Sequence, residues 1–203
     1  MQHQGYIHEM EEKFESLHES VAVSTTDSVS IYANLKYSEI FPKIHRDSIF
    51  ISTVGYLEYL LVGFCRVCER DFSVKQSIKK RSNLRDTFIY LTDIVGLDLT
   101  PLSEEVSYFN DCSFIRNSIA HRAGIISENL DQEAFNRLQK KQEIALDTNF
   151  CVVISRNFIL EFVANCRAIF IQLEEPVDRK IIERFGPYNH LTPDEQLALI
   201  DNA

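Results

Sequence analysis

The sequence predicts an all-α protein, a helical bundle with one small β-hairpin before its last core helix. Three observations carry that expectation. Apolar residues recur at three- and four-residue spacing through most of the chain, the period of helices that bury one side. The segments between them end on turn and cap residues such as Gly96, Gly124 and Ser155. Only one stretch reads as strand: Ile144-Ala145-Leu146 and Phe150-Cys151-Val152-Val153-Ile154 flank the turn residues Asp147-Thr148-Asn149. With 203 residues, 45% of them apolar and 11% aromatic, the chain can bury a core of its own. Residues 1–40 read as an N-terminal helical extension, 41–176 as the core and 177–203 as a C-terminal helical tail, all in one compact domain.

The elements follow in order. Tyr6, Ile7, Met10, Phe14 and Leu17 share one face of a helix over 6–18, with acids opposite. Residues 24–28 are a turn-rich break, and a second helix spans about 28–40. Pro42 suits the first turn of the next helix, or a kink between the two. From 43 to 71 the pattern is strongly apolar (Ile49, Phe50, Val54, Leu57, Leu60, Leu61, Phe64, Val67, Cys68), so this helix should bury more than one face. Tyr56 and Tyr59 read as part of that core. Residues 72–82 are a polar loop. A helix over 83–96 carries Leu84, Phe88, Leu91, Ile94 and Val95. Pro101 and Ser103 open the following helix, and Glu104 and Glu105 favour its positive end. Val106, Phe109, Phe114, Ile115 and Ile119 are its buried positions, and Gly124 ends it in a left-handed cap. A short helix over 131–141 precedes the hairpin. Ser155 caps a helix from 156 to about 174 that buries Phe158, Ile159, Phe162, Val163, Ile169 and Phe170. After Pro176 come a short helix at 177–185, a loop at Gly186-Pro187 and a last helix near 193–201.

Charge and cysteine content narrow the function. The net charge of −9 is a mild objection to a nucleic-acid enzyme. Lys75, Lys79, Lys80, Arg81 and Arg85 nevertheless form a local basic run, readable as an RNA-facing patch or as a solvated loop. Five cysteines, an odd number, argue against a disulfide framework. Cys65 and Cys68 make a CxxC, but inside an apolar helix and with no second pair, so buried core thiols are expected rather than a metal or redox site. Glu58, Arg66 and Glu161 interrupt the longest apolar stretches, and Met1-Gln2-His3-Gln4 lacks a basic-then-apolar leader. A cytoplasmic protein without a membrane span is expected.

The chemistry concentrates in Arg116-Asn117-Ser118-Ile119-Ala120-His121. Arginine carries a permanent charge and can fork two N–H bonds onto phosphate oxygens. Histidine moves protons near neutral pH. Asn117 can hold either partner. At about 100° per residue Asn117 and His121 share a helical face, whereas Arg116 and His121 lie roughly 140° apart. One straight helix does not bring both to a single phosphate. Either the helix loosens before Gly124, or a second copy completes the site. His121 feels the negative helix end, which favours its charged form, while Arg116 and Arg122 oppose it. Glu58, isolated in the most apolar helix, is either partly exposed or a buried carboxylate paired with Arg116 or Arg122. Tyr108 and Asn110, two turns before the motif, either line its cleft or pack.

The run Phe114-Ile115-Arg116-Asn117-Ser118-Ile119-Ala120-His121-Arg122-Ala123-Gly124 resembles the signature of the HEPN superfamily: Arg, a polar residue, a short spacer, then His late in a helix. The helical layout over residues 40–175 and the hairpin before the last core helix resemble that family as well. The resemblance implies a metal-independent endoribonuclease with no cofactor and no metal, acting as a toxin or defence effector or in RNA processing. Arg116, Asn117 and His121 would be catalytic, with Glu58, Arg122 and Tyr108 in support. It also implies a homodimer whose two motifs face one another, and a partner protein that inhibits or activates the enzyme. Two other readings stand beside it. One is a non-catalytic HEPN module that binds a nucleotide or a protein; the other is a dimerising helical scaffold in which Arg116 and His121 merely finish their helix.

Overall fold

Pro42 starts no new direction; it sits in the first turn of the longest helix. The computed structural model describes residues 35–80, 82–126, 129–141 and 144–186, together with isolated positions between 9 and 16 that are helical and exposed. The helices expected over 6–18, most of 28–40 and 193–201, and the residue Arg81, lie outside the described residues or are only touched by them. Lys36–Ile40 forms a wide π-helical turn that runs straight into α1 (Phe41–Asp71). The Phe41 N–H reaches back five residues to the Lys36 carbonyl. Proline lacks an N–H and crowds the carbonyl four residues back, and a widened turn absorbs both.

The helices after α1 each begin and end for a legible reason. The Asn83 side chain caps α2 (Leu84–Ile89) by accepting from the Asp86 N–H at 2.8 Å. The helix continues as a wide turn, Tyr90–Val95, and stops where Gly96 turns left-handed at φ 76°. A 3-10 turn at Thr100–Leu102 leads into α3 (Ser103–Arg122). Ser103 is therefore the first helical residue, with Pro101 and the tight turn setting the entry. Asn129–Lys141 forms α4 and pairs with α3 through Arg137, whose Nε and Nη2 reach Asp111 at 2.8 and 2.6 Å. Ser155 caps α5 (Arg156–Gln172) by accepting from the Phe158 N–H at 3.0 Å. α6 runs from Glu174 to Phe185, so Pro176 falls in its first turn and does not precede it. α6 is fastened to the bundle: Lys180 donates to the Gly96 carbonyl at 3.2 Å, and Arg184 donates to the carbonyl of Phe72.

The described chain is thus mostly helical, with one hairpin. β1 (Ile144–Leu146) and β2 (Val152–Ile154) pair antiparallel with Ile144 opposite Ile154. The core lies where α1, α3 and α5 meet. Phe50, Phe109, Phe158 and Phe162 are fully buried and meet edge to face, with Phe50 5.3 Å from Phe158 and 5.2 Å from Phe162. Cys65 and Cys68 are buried in α1, and burial pushes their thiols up to about 12 and about 11. The run Lys36–Asp71 is long and apolar enough to cross a membrane. Its row Phe50, Val54, Leu57, Leu61 and Cys65 is buried in the bundle, which is another setting that demands such a helix.

Tyr56 and Tyr59 are not core. They are 62% and 71% exposed and stack on each other, with ring centroids 6.3 Å apart. α1 is apolar on every side, and these two residues lie on a side that no described helix covers. Beside them an apolar groove of about 730 Å³ runs between α1 and α5, past Ile49, Thr53, Val163 and Phe170.

The hairpin holds the end of the motif helix. Ala123 and Gly124 both turn left-handed, at φ 52° and 85°. The Gly124 N–H returns to the Ser118 carbonyl, and the Gly124 carbonyl accepts from the Val152 N–H, both at 2.9 Å. A Cβ on Gly124 would stand 3.2 Å from that nitrogen. Gly124→Ala should therefore lower unfolding stability by about 1–2 kcal/mol in urea titrations. Unchanged stability would show that the contact with β2 is slack.

Candidate active site

Glu58 and Arg116 build this site from two helices. Glu58 lies halfway along α1 and Arg116 four turns into α3, and both side chains face the seam between the helices, 16% and 23% exposed. Arg116 Nη2 donates to Glu58 Oε2 at 3.1 Å, and Nη1 donates to Asn117 Oδ1 at 2.8 Å. Of the two arginines considered for Glu58, Arg116 is the partner. The backbone N–H of Leu84, the first residue of α2, favours the charged form of the Glu58 carboxyl. Burial holds its carboxyl above the ordinary value of 4.5, with Arg116 and Leu84 pulling the other way.

This arrangement fixes the guanidinium without using it up. Arginine carries five N–H donors. Two are engaged, Nε is buried without a partner, and each terminal nitrogen keeps a second hydrogen. The Asn117 carboxamide accepts from Arg116, which turns its N–H₂ end away from that bond. His121 is exposed, and α3 stays α-helical through it to Arg122. The helix does not loosen before His121, which disfavours the route by which a single copy could converge on one phosphate.

The other candidate residues divide. Arg122 bends back along its own helix and donates to Ser118 Oγ at 2.7 Å, so it does not join the Glu58 cluster. Ser118 is fully buried and donates to the Phe114 carbonyl, which packs that face of the motif against the bundle. Tyr108 packs its ring against Phe109 and Phe162, at 5.3 and 6.3 Å, and stays apart from Arg116. Lys75, Lys79, Lys80 and Arg85 are exposed. Their loop is pinned to α1 and α2: Glu69 Oε1 accepts from the Ile78 N–H at 2.5 Å, and the single Tyr90 O–H lies between Glu69 Oε1 and the Gln76 carbonyl, shared by the two acceptors.

Sequence reasoning missed the Asp111–Arg137 pair. The signal was present, because Asp111 sits between Phe109 and Cys112 on the buried side of α3, and a buried carboxylate needs a cation.

Comparison of the chain with protein-family models, with curated proteins and with solved structures gives no match. The chemistry of the site therefore rests on its own residues.

The Glu58 environment gives a signed pH dependence. The folded carboxyl keeps its proton at pH values where the unfolded one, near 4.5, has lost it. Its contribution to stability is present below 4.5 and falls as pH rises through the folded value. The stability of wild type minus that of Glu58→Gln should decline from pH 4.5 toward 7 in denaturant titrations. A flat or rising difference would mean that Arg116 outweighs burial.

Proposed function

We propose that this chain is a HEPN-like, metal-independent endoribonuclease whose active site combines Arg116, Asn117 and His121 from two copies. The observation that carries the reading is the division of labour on α3. Arg116 is locked by Glu58 and Asn117 with N–H groups to spare, while His121 is exposed one turn beyond Asn117. A pre-positioned cation and an accessible imidazole are what phosphodiester transfer needs.

In the proposed reaction the ribose 2′-oxygen attacks the adjacent phosphorus while one His121 takes its proton. The bond from phosphorus to the 5′-oxygen breaks, and a proton from water neutralises the leaving oxygen. Arg116 forks onto the non-bridging oxygens as charge builds there. The products carry a 2′,3′-cyclic phosphate and a 5′-hydroxyl. DNA lacks the attacking group and is not cut. The uncovered apolar side of α1, with Tyr56 and Tyr59, supports association of the chain. The exposed lysines of residues 75–80 and Arg85 support attraction of RNA despite the net charge. A cytoplasmic toxin, defence or RNA-processing role fits this chemistry.

A second reading is a HEPN-like module that binds a nucleotide or a protein and does not cut. Its support is that Arg116 is already satisfied by Glu58, as a structural arginine would be, in a chain of net charge −9. Incubation of mixed RNA with the protein in EDTA separates the two. Wild type should leave cyclic-phosphate ends, and Arg116→Ala or His121→Ala should slow cleavage at least ~100-fold. Strict dependence on magnesium, or equal cleavage by the variants, would sink the proposed mechanism.

A further inference from the structure

A second concavity lies on the same side of α3 as Asn117 and His121. Asn110, Phe114, Asn117 and His121 follow one another at steps of four, three and four residues, which aligns them on one helical face. Asn110 precedes Asn117 by two turns, about 10 Å along the axis. Around Asn110 and Phe114 the surface between α2 and α3 forms a groove of about 680 Å³. Phe88 floors it, Ser107 and Thr92 line it, and Arg85 stands at its edge. That volume suits a nucleotide-sized ligand.

Asn110 is the unexplained group in this groove. Its Oδ1 is buried and accepts no hydrogen bond. A buried carboxamide end without a partner costs stability and asks for a reason. As placed, the oxygen end of the amide is held by nothing. It is free to turn toward a ligand without breaking a bond at that end. The opposing charge nearby is already matched, because Asp111, at the groove wall, is held by both prongs of Arg137.

We infer that this groove is a base-recognition subsite, holding an adenine of single-stranded RNA beside the nucleotide that is cut. Unpaired bases splay out, stack on aromatic side chains and are read along their edges. Phe114, partly exposed, supplies aromatic surface, and the exposed Arg85 supplies a cation for the adjoining phosphate. An asparagine amide offers one acceptor and one donor, the pair that fits the amino group and N7 of adenine. The inference rests on the ribonuclease reading for its substrate, but the subsite binds without chemistry and is tested without it.

The full-length His121→Ala chain, titrated with AMP, GMP, CMP and UMP to millimolar concentration by NMR, gives the test. AMP should bind most tightly, and the shifted amides should include those of Phe88, Asn110 and Phe114. Asn110→Ala should weaken AMP roughly five- to hundredfold and erase the preference. Asn110→Asp, which keeps the shape and removes the donor, should also lose AMP, and serves if the alanine variant folds poorly. No saturable binding, equal binding of all four nucleotides, or an unchanged AMP affinity in both variants would overturn the subsite. A wild-type chain that binds AMP as described but cuts no RNA would retain the subsite and remove the nuclease. One that cuts RNA without binding AMP would do the reverse.

Discussion

The ion pair between Glu58 and Arg116 organises the candidate site of this molecule. It joins the centre of α1 to the motif on α3, and the Leu84 N–H at the start of α2 favours the carboxylate form of Glu58. A largely buried pair of this kind is poor evidence for added stability, because desolvating two charges offsets much of their attraction. What it supplies is position. Arg116 cannot swing into solvent while Glu58 and Asn117 hold it, and the basic loop cannot drift from α1 while Glu69 holds Ile78 and Tyr90. The far end of α3 is fixed as firmly, since Gly124 bonds both to its own helix and to β2. His121 therefore projects from a helix clamped at both ends.

That rigidity dictates the form of the proposed site. A regular helix carries Arg116 inward and His121 outward, and nothing in α3 bends to reunite them. If both act on one phosphate, a two-fold related copy must present the missing group, which is the commonest symmetry by which proteins pair. Among the described residues, the side of α1 with its stacked tyrosines beside an apolar groove is uncovered, which is consistent with the proposed pairing.

Much of the bundle was legible because its signals are local. Asn83 and Ser155 cap helices by bonds to residues three positions on, and the hairpin announces itself by its turn. Errors arose where local rules allow two outcomes. Proline is tolerated in a first turn, so Pro176 marks the inside of α6 as readily as a break before it. Tyr56 and Tyr59 were misjudged because α1 is apolar all round, and the side left bare depends on which helices arrive. At the site, the rule that a buried carboxylate needs a cation narrowed Glu58 to two arginines, and three-dimensional geometry chose Arg116. The unpaired amide of Asn110 was beyond sequence reasoning, because an unmet hydrogen bond shows only once its surroundings are known.

The composite site is the central claim, and subunit complementation tests it most directly. Arg116→Ala and His121→Ala chains, each inactive alone, would be mixed, unfolded and refolded together, then assayed on RNA. If each site takes Arg116 from one copy and His121 from the other, random pairing makes about half of the dimers mixed, each with one intact site of two. About a quarter of wild-type activity should then return. A mixture as inactive as its parents, from chains shown to pair, would contradict the account and place both residues in a single copy.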